Sequence, residues 1–130
     1  MSSANTTWQK FDCPVVGFQQ IINGKYKLRI LWDLQSGPKR YGEIRRGLSG
    51  TIGAKDITAR VLSRELKMLT SMRLLQRQEL RSRPLRVQYA LTSEGRTLIP
   101  VIAVMHKWGV EHLVRRSILR KMGILPGEGD

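Results

Sequence analysis

Arg60, Ser63, Arg64 and Lys67 recur at intervals of three and four within DITARVLSRELKMLTSM, a spacing that lines four hydrogen-bond donors along one face of a helix. Leu62, Leu66 and Leu69 of the same stretch form a separate apolar stripe, so the helix has one face to bury and a cationic one to leave in solvent. Further on, Arg81, Arg83 and Arg86 crowd the short segment RSRPLR. Guanidinium, ammonium and hydroxyl groups in this arrangement suit phosphate oxygens and base edges, which accept hydrogen bonds and carry or concentrate negative charge. A merely solvated face of an amphipathic helix is the plainer reading of the same pattern.

Residue types needed for bond-making chemistry are sparse. Cys13 is the one cysteine of the chain, so no intramolecular disulfide is expected, and no clustered Cys and His residues suggest a metal. His106 and His112 are six apart, about 240° around a helix at 100° per residue, and do not share a metal-binding face. No G-x-S-x-G, H-E-x-x-H or phosphate-loop pattern occurs, SGTIGAK being too loose to count. No catalytic residue, metal or cofactor is expected, and an enzyme is not.

The bulk numbers agree with a polyanionic partner. The chain has 130 residues, 23 Lys plus Arg against 10 Asp plus Glu, and a formal charge of +13; nucleic acid fits this first and an anionic membrane surface second. Thirteen of the basic residues and four of the acids fall between Gln35 and Ala90, concentrating the charge mid-chain. No apolar run approaches the ~18 residues that span a bilayer, and the polar MSSANTTWQK lacks the apolar region of a signal peptide. A cytoplasmic protein with no membrane partner is the expectation, with a length and apolar content that fit one domain.

The elements that must position the basic residues follow from periodicity. Residues 1–12 are expected to be flexible. Pro14 opens a short helix bearing Val15, Val16, Phe18, Ile21 and Ile22, which Asn23-Gly24 stops. A second helix runs from Tyr26 to Leu34 and is broken by SGPKR, and YGEIRRGL makes a third, with Tyr41, Ile44 and Leu48 on one side. The basic helix, about residues 57–72, completes a helix-turn-helix. LLQRQEL and RVQYAL alternate as strands of a hairpin over about residues 74–91, with RSRPL at its tip: a wing. Thr92 caps a final helix whose apolar residues recur from Thr97 to about Lys121, long enough to overrun a small core and invite a partner helix. Residues 123–130 fray. The fold class is therefore mainly α with a small β-hairpin wing, a winged helix-turn-helix over residues 13–122 with a long C-terminal dimerisation helix.

Several segments in this order resemble the HxlR-type transcriptional regulators, a branch of the MarR-like winged-helix proteins. The resemblance covers roughly Cys13 to Gly109. It rests on Cys13-Pro14, on INGKYKLRIL where the family reads I-G-G-K-W-K, on GPKRYGEIRRGL for G-x-x-R-F-x-E-L-x-R, on ITARVLSRELKML and on RVQYALTSEGRTLIPVI. Tyr26 replaces the usual Trp. Arg73 stands where the family has Gly, which demands either a left-handed non-glycine residue at about 1 kcal/mol or a remodelled helix end. TIGAKD, Thr51 to Asp56, adds about six residues between the two helices; it reads as an inert loop, an extra helical turn, or a phosphate contact through Lys55.

The resemblance implies a homodimer on a pseudo-palindromic double-stranded operator, one recognition helix per half-site. Arg60, Ser63 and Arg64 then read bases, with Thr58 and Lys67 nearer phosphates. Arg81, Arg83 and Arg86 reach the backbone or minor groove, and Lys39 and Arg40, at the start of the third helix, hold the backbone or remain solvated charges. A non-specific architectural coat on nucleic acid is the alternative, and a basic module for an acidic protein a third. Composition makes Cys13 a small buried hydrophobe; the resemblance adds a redox-reactive thiol, with Lys10, Lys25, Lys27 and the helix N-terminus favouring the thiolate and Asp12 opposing it. Trp8, Phe11, Tyr26, Trp32 and Trp108 either pack the core or line a pocket between the first and last helices; no small-molecule effector can be named.

Overall fold

The structure, a computed structural model, describes residues 13–49, 57–81 and 84–127. Helix α1, Pro14–Ile21, starts where expected: Pro14 needs no hydrogen bond from its nitrogen in a first turn. It buries Gly17 and Ile21, and Gly24, at φ +106°, turns the chain into α2, Lys27–Asp33. A 3₁₀ turn, Leu34–Ser36, tightens the end of α2 before Gly37 at φ +138° breaks it.

Lys39–Arg40 forms a short strand, β1, and not the first turn of the third helix. The chain leaves Gly37-Pro38 extended, and the outer edge of the hairpin offers it unpaired backbone groups. Arg40 then marks the helix boundary, because its N–H donates to Glu43 Oε1 at 2.9 Å, three residues on, as in half a capping box. Helix α3, Tyr41–Ser49, buries Ile44 and Leu48.

Helix α4, Ala59–Ser71, is capped by Thr58, whose Oγ1 accepts from Val61 N at 3.2 Å. Its far end is a Schellman turn: Leu74 N donates to Leu69 O and Arg73 N to Thr70 O, both at 3.0 Å. Arg73 occupies the left-handed position at φ +61°. The helix end is therefore not remodelled around the missing glycine.

Strands β2, Leu75–Leu80, and β3, Arg86–Leu91, pair antiparallel from Leu75 opposite Leu91 to Leu80 opposite Arg86. With β1 they make a three-stranded sheet in the order β1-β3-β2. Thr92 then links three elements: Oγ1 donates to Arg73 O at 2.6 Å and accepts from Gly95 N at 2.9 Å, capping α5, Ser93–Arg96. Gly95 packs so close to the end of α4 that a Cβ there would stand 2.1 Å from Leu74 O.

Thr92 thus caps a short helix and not the long final one, which starts at Ile99 with Pro100 in its first turn. Pro100 has no N–H to donate backwards, so the helix begins anew around it. Helix α6, Ile99–Gly109, passes through a π turn, Val110–Val114, into α7, Arg115–Lys121. Of this stretch only Ile102 is fully buried. His106 stacks on Trp32 of α2 with ring centroids 5.3 Å apart, and His112 lies 4.7 Å from Trp108 within the helix itself.

Ile30, Leu31, Leu34, Ile44, Leu48, Leu62, Leu66, Leu69, Leu74 and Leu75 form the innermost core, drawn from α2, α3, α4 and the start of the wing. At about 1.5–3 kcal/mol per fully buried side chain of this size, this cluster is what fixes α4 and the hairpin relative to each other.

Candidate nucleic-acid interface

The cationic face of α4 stands as its spacing requires. Arg60, Ser63, Arg64 and Lys67 are all exposed, while Leu62, Leu66 and Leu69 are buried on the other side. None of the four has a hydrogen-bond or ion-pair partner among the described residues, so within that part of the structure their donors are unspent. Thr58 is exposed but works as the helix cap, which commits one lone pair of its hydroxyl and leaves its proton available.

Helix α3 moors the start of α4. Tyr41 donates its hydroxyl proton to Ala59 O at 3.1 Å, and Arg45 Nε donates to Ile57 O at 3.2 Å. Behind it, Arg29 of α2 donates to Asp33 Oδ1 at 2.8 Å and to Gly47 O at 3.2 Å, joining α2 to α3. These contacts hold the two helices of the helix-turn-helix at a fixed angle. Nothing in the local pattern flags Tyr41 or Arg45 for this task, because their acceptors are backbone carbonyls far along the chain.

Arg81 and Arg86 are exposed at the two ends of the hairpin loop. Arg83 and Lys55, with the whole of Thr51–Asp56, lie outside the described residues. Arg40 is exposed and Lys39 half-buried, both now displayed from β1. Glu43, close to both, has its carboxyl held below the usual range, first by the hydrogen bond from Arg40 N and then by the nearby charges of Lys39, Arg40 and Arg46.

Two charged groups escaped the sequence reading. Glu65 is buried on the inner side of α4 and paired with Lys27 of α2; the signal was its place three residues after Leu62, on the apolar stripe. Arg77 of β2 donates to Glu79 Oε1 at 2.7 Å. Its pKa is raised, chiefly by that hydrogen bond and also by the neighbouring Tyr89.

Cys13 is exposed, which corrects the expectation of burial from composition. It stands at the N-terminal end of α1, which turns Gly17 and Ile21 inward instead. Lys27 is committed to Glu65, and Lys25 lies over the Tyr26 ring at 5.7 Å; Trp8, Lys10, Phe11 and Asp12 lie outside the described residues. Of the aromatic residues, Trp32 lines a cleft of about 230 Å³ with Leu28, Arg29, Ile102, Met105 and His106, and Tyr26 packs against the core. Trp108 lies apart from that cleft, 54% exposed on the last helix. Among the described residues there is no group of three His, Cys, Asp or Glu able to hold a metal ion, and no helix long and apolar enough to cross a membrane.

The family described as HxlR-like helix-turn-helix matches residues 21–117. The HTH-type transcriptional regulator YdzF of Bacillus subtilis is 41% identical over 91 residues, 69% of this chain and 78% of that protein. A crystal structure of a regulator assigned to the MarR family, from Porphyromonas gingivalis, superposes with a TM-score of 0.70 at 34% identity, over 78% of this chain and 94% of the other. The redox regulator HypR in its oxidized form superposes with a TM-score of 0.69 at 33% identity, over 77% of this chain and 97% of the other.

Proposed function

The chain belongs to the HxlR-like helix-turn-helix family and is a transcriptional regulator of helix-turn-helix type, and from that premise we propose that it binds a pseudo-palindromic duplex as a homodimer. Helix α4 enters the major groove, where Arg60, Ser63 and Arg64 meet base edges and Lys67 and Thr58 meet the flanking phosphates. Arg81, Arg83 and Arg86 of the wing lie on the backbone or in the minor groove, Lys39 and Arg40 add backbone contacts, and Lys55 is a further phosphate contact.

The observation that carries the reading is the unspent donor face of α4, held at a fixed angle by Tyr41 and Arg45 on one side and by the core on the other. Selection from a random duplex library with the full chain tests it. A two-fold symmetric motif bound about 10³-fold more tightly than random duplex at equal salt is expected. Equal affinity for both would instead favour the non-specific coat that the charge of +13 alone supports.

Redox control through Cys13 is supported by its exposure and by the likeness to HypR. With one thiol per chain, oxidation yields a Cys13–Cys13 bond between subunits, a mixed disulfide with a small thiol, or a sulfenic acid. Cys13→Ser that responds to oxidant in the binding assay as the parent does would end this part of the reading.

A further inference from the structure

The register of the small sheet places Lys39 of β1 opposite Tyr89 of β3, and Tyr89 opposite Arg77 of β2. Directly opposed residues of antiparallel strands share a face of the sheet, so an ammonium, a phenol and a guanidinium stand in one row across three strands. Helix α4 supplies the facing wall. Ser63, Lys67, Thr70 and Ser71 line, together with Arg77 and Tyr89, a cleft of about 380 Å³ between helix and sheet.

The groups in the cleft divide by what they still have to give. Thr70 and Ser71 donate their hydroxyl protons to Leu66 O and Met68 O at 2.7 and 2.9 Å, so they are wall. Lys67 and Ser63 have no partner among the described residues. Arg77 is engaged through one terminal nitrogen, Nη1, by Glu79 Oε1, in a pair whose side chains are 47% and 56% exposed. An ion pair so open to water contributes little to stability, and a guanidinium has five donors in a planar fork that matches a phosphate. Glu79 is thus a weakly held anion in a place where cations converge from two walls.

We propose that this cleft seats one phosphodiester of the duplex, held by Lys67 from the recognition helix and by Arg77 with the Tyr89 hydroxyl from the sheet. Lys39 extends the row alongside. Arg77 acts here as a positioning residue: by sharing a phosphate with Lys67 it locks the wing to α4 on the nucleic acid and sets how deeply the helix enters the groove. Glu79 competes with the phosphate for Arg77 and so keeps affinity below its ceiling. The inference rests on the DNA-binding reading above and goes beyond it by bringing Arg77 and Tyr89, which lie outside the cationic face and the hairpin tip, to a backbone site shared with Lys67.

The test is fluorescence anisotropy with the full chain on a selected duplex and on a random duplex of equal length, each across a salt series. Arg77→Ala is expected to weaken both by a similar factor, about 10-fold, and to lower the slope of log affinity against log salt by about 0.9. Arg77→Lys restores the slope but only part of the affinity, and Glu79→Gln tightens both duplexes. A merely structural Arg77 would move the thermal midpoint and leave the salt slope alone, and an unchanged slope in a folded Arg77→Ala overturns the proposal. If Arg77→Ala does not fold, Glu79→Gln decides: no gain in affinity overturns it. Parent protein that retains neither duplex removes the DNA-binding reading itself, and this site with it; parent binding with Arg77→Ala unaffected removes this site alone.

Discussion

Lys27 Nζ lies 2.5 Å from Glu65 Oε2 between α2 and α4, with the two side chains only 3% and 7% exposed. Lys27 also donates to Asn23 O at 3.1 Å, and Gly24 roofs the pair, its Cβ position 3.5 Å from Lys27 Nζ and 3.7 Å from Glu65 Oε1. Glu65 Oε2 has no aligned hydrogen bond among the described residues; proximity of opposite charges, not a straight N–H···O bond, is what binds that oxygen. The inner side of α4 is therefore held by an ion pair whose members cost much to bury separately.

Removing one member leaves the other charge stranded. Glu65→Ala or Lys27→Ala should each lower stability by about 3–5 kcal/mol in urea unfolding, whereas Lys27→Met with Glu65→Leu, which fills the same space without charge, should come back to near the parent or above it. A single replacement costing less than about 1 kcal/mol would mean that water reaches the pair and that it does not fasten α4.

Arg73 holds the left-handed C′ position of a complete Schellman turn at φ +61°. A side chain there costs about 1 kcal/mol relative to glycine, and Arg73 O is fixed by Thr92 Oγ1, so the conformation cannot relax. Arg73→Gly should raise the unfolding free energy by about 0.5–1 kcal/mol. A fall would show that the arginine side chain contributes something that its exposed position does not display.

The helices and the hairpin were legible because each repeats its period several times: Leu62, Leu66 and Leu69 along α4, Val87, Tyr89 and Leu91 along β3. The cationic face of α4 followed from the same arithmetic. Lys39 and Arg40 were misplaced because two residues carry no period, and the strand that pairs with them comes much later in the chain. Lys27 looked like a neighbour of Cys13 for the same reason: adjacency in sequence is visible and a partner on another helix is not. Arg77 and Tyr89 were passed over because they face each other across strands, a relation set by register. The exposure of Cys13 depends on which face of α1 meets the core, a tertiary fact that the preference of free cysteine for burial does not contain.

The carboxyl of Glu43 is held below its usual range, first by the N–H of Arg40. A depressed carboxylate pKa stabilises the fold above the unfolded value, and the stabilisation disappears as pH falls through the lower folded one. The join between β1 and α3, which presents Lys39 and Arg40, should thus loosen on acidification. Glu43→Gln should be less stable than the parent at about pH 7, with the difference shrinking as pH falls through the carboxylate range. A gap between the two unfolding curves that stays constant over that range would mean that Glu43 acts by shape and not by charge.

Val104, Trp108 and Leu113 are 69%, 54% and 57% exposed along the final helix. In an unbroken α-helix Leu113, five residues after Trp108, would swing away from it; the π turn, Val110–Val114, with its i→i+5 bonding, brings a residue five on back over the same face. The wider turn thus lengthens one apolar stripe, and an exposed stripe of this extent is the kind of surface that partners cover. If a second copy covers it, Val104→Glu combined with Leu113→Glu should sediment as a monomer that keeps its far-ultraviolet helix signal. Its affinity for a duplex with two half-sites should fall by about 10²-fold or more, because each half-site then binds without the effective concentration its neighbour supplied. Affinity for a single half-site should hardly change, since neither residue lies on α4 or the wing. A double variant that still sediments as a dimer would place the subunit contact elsewhere and leave this face without its partner.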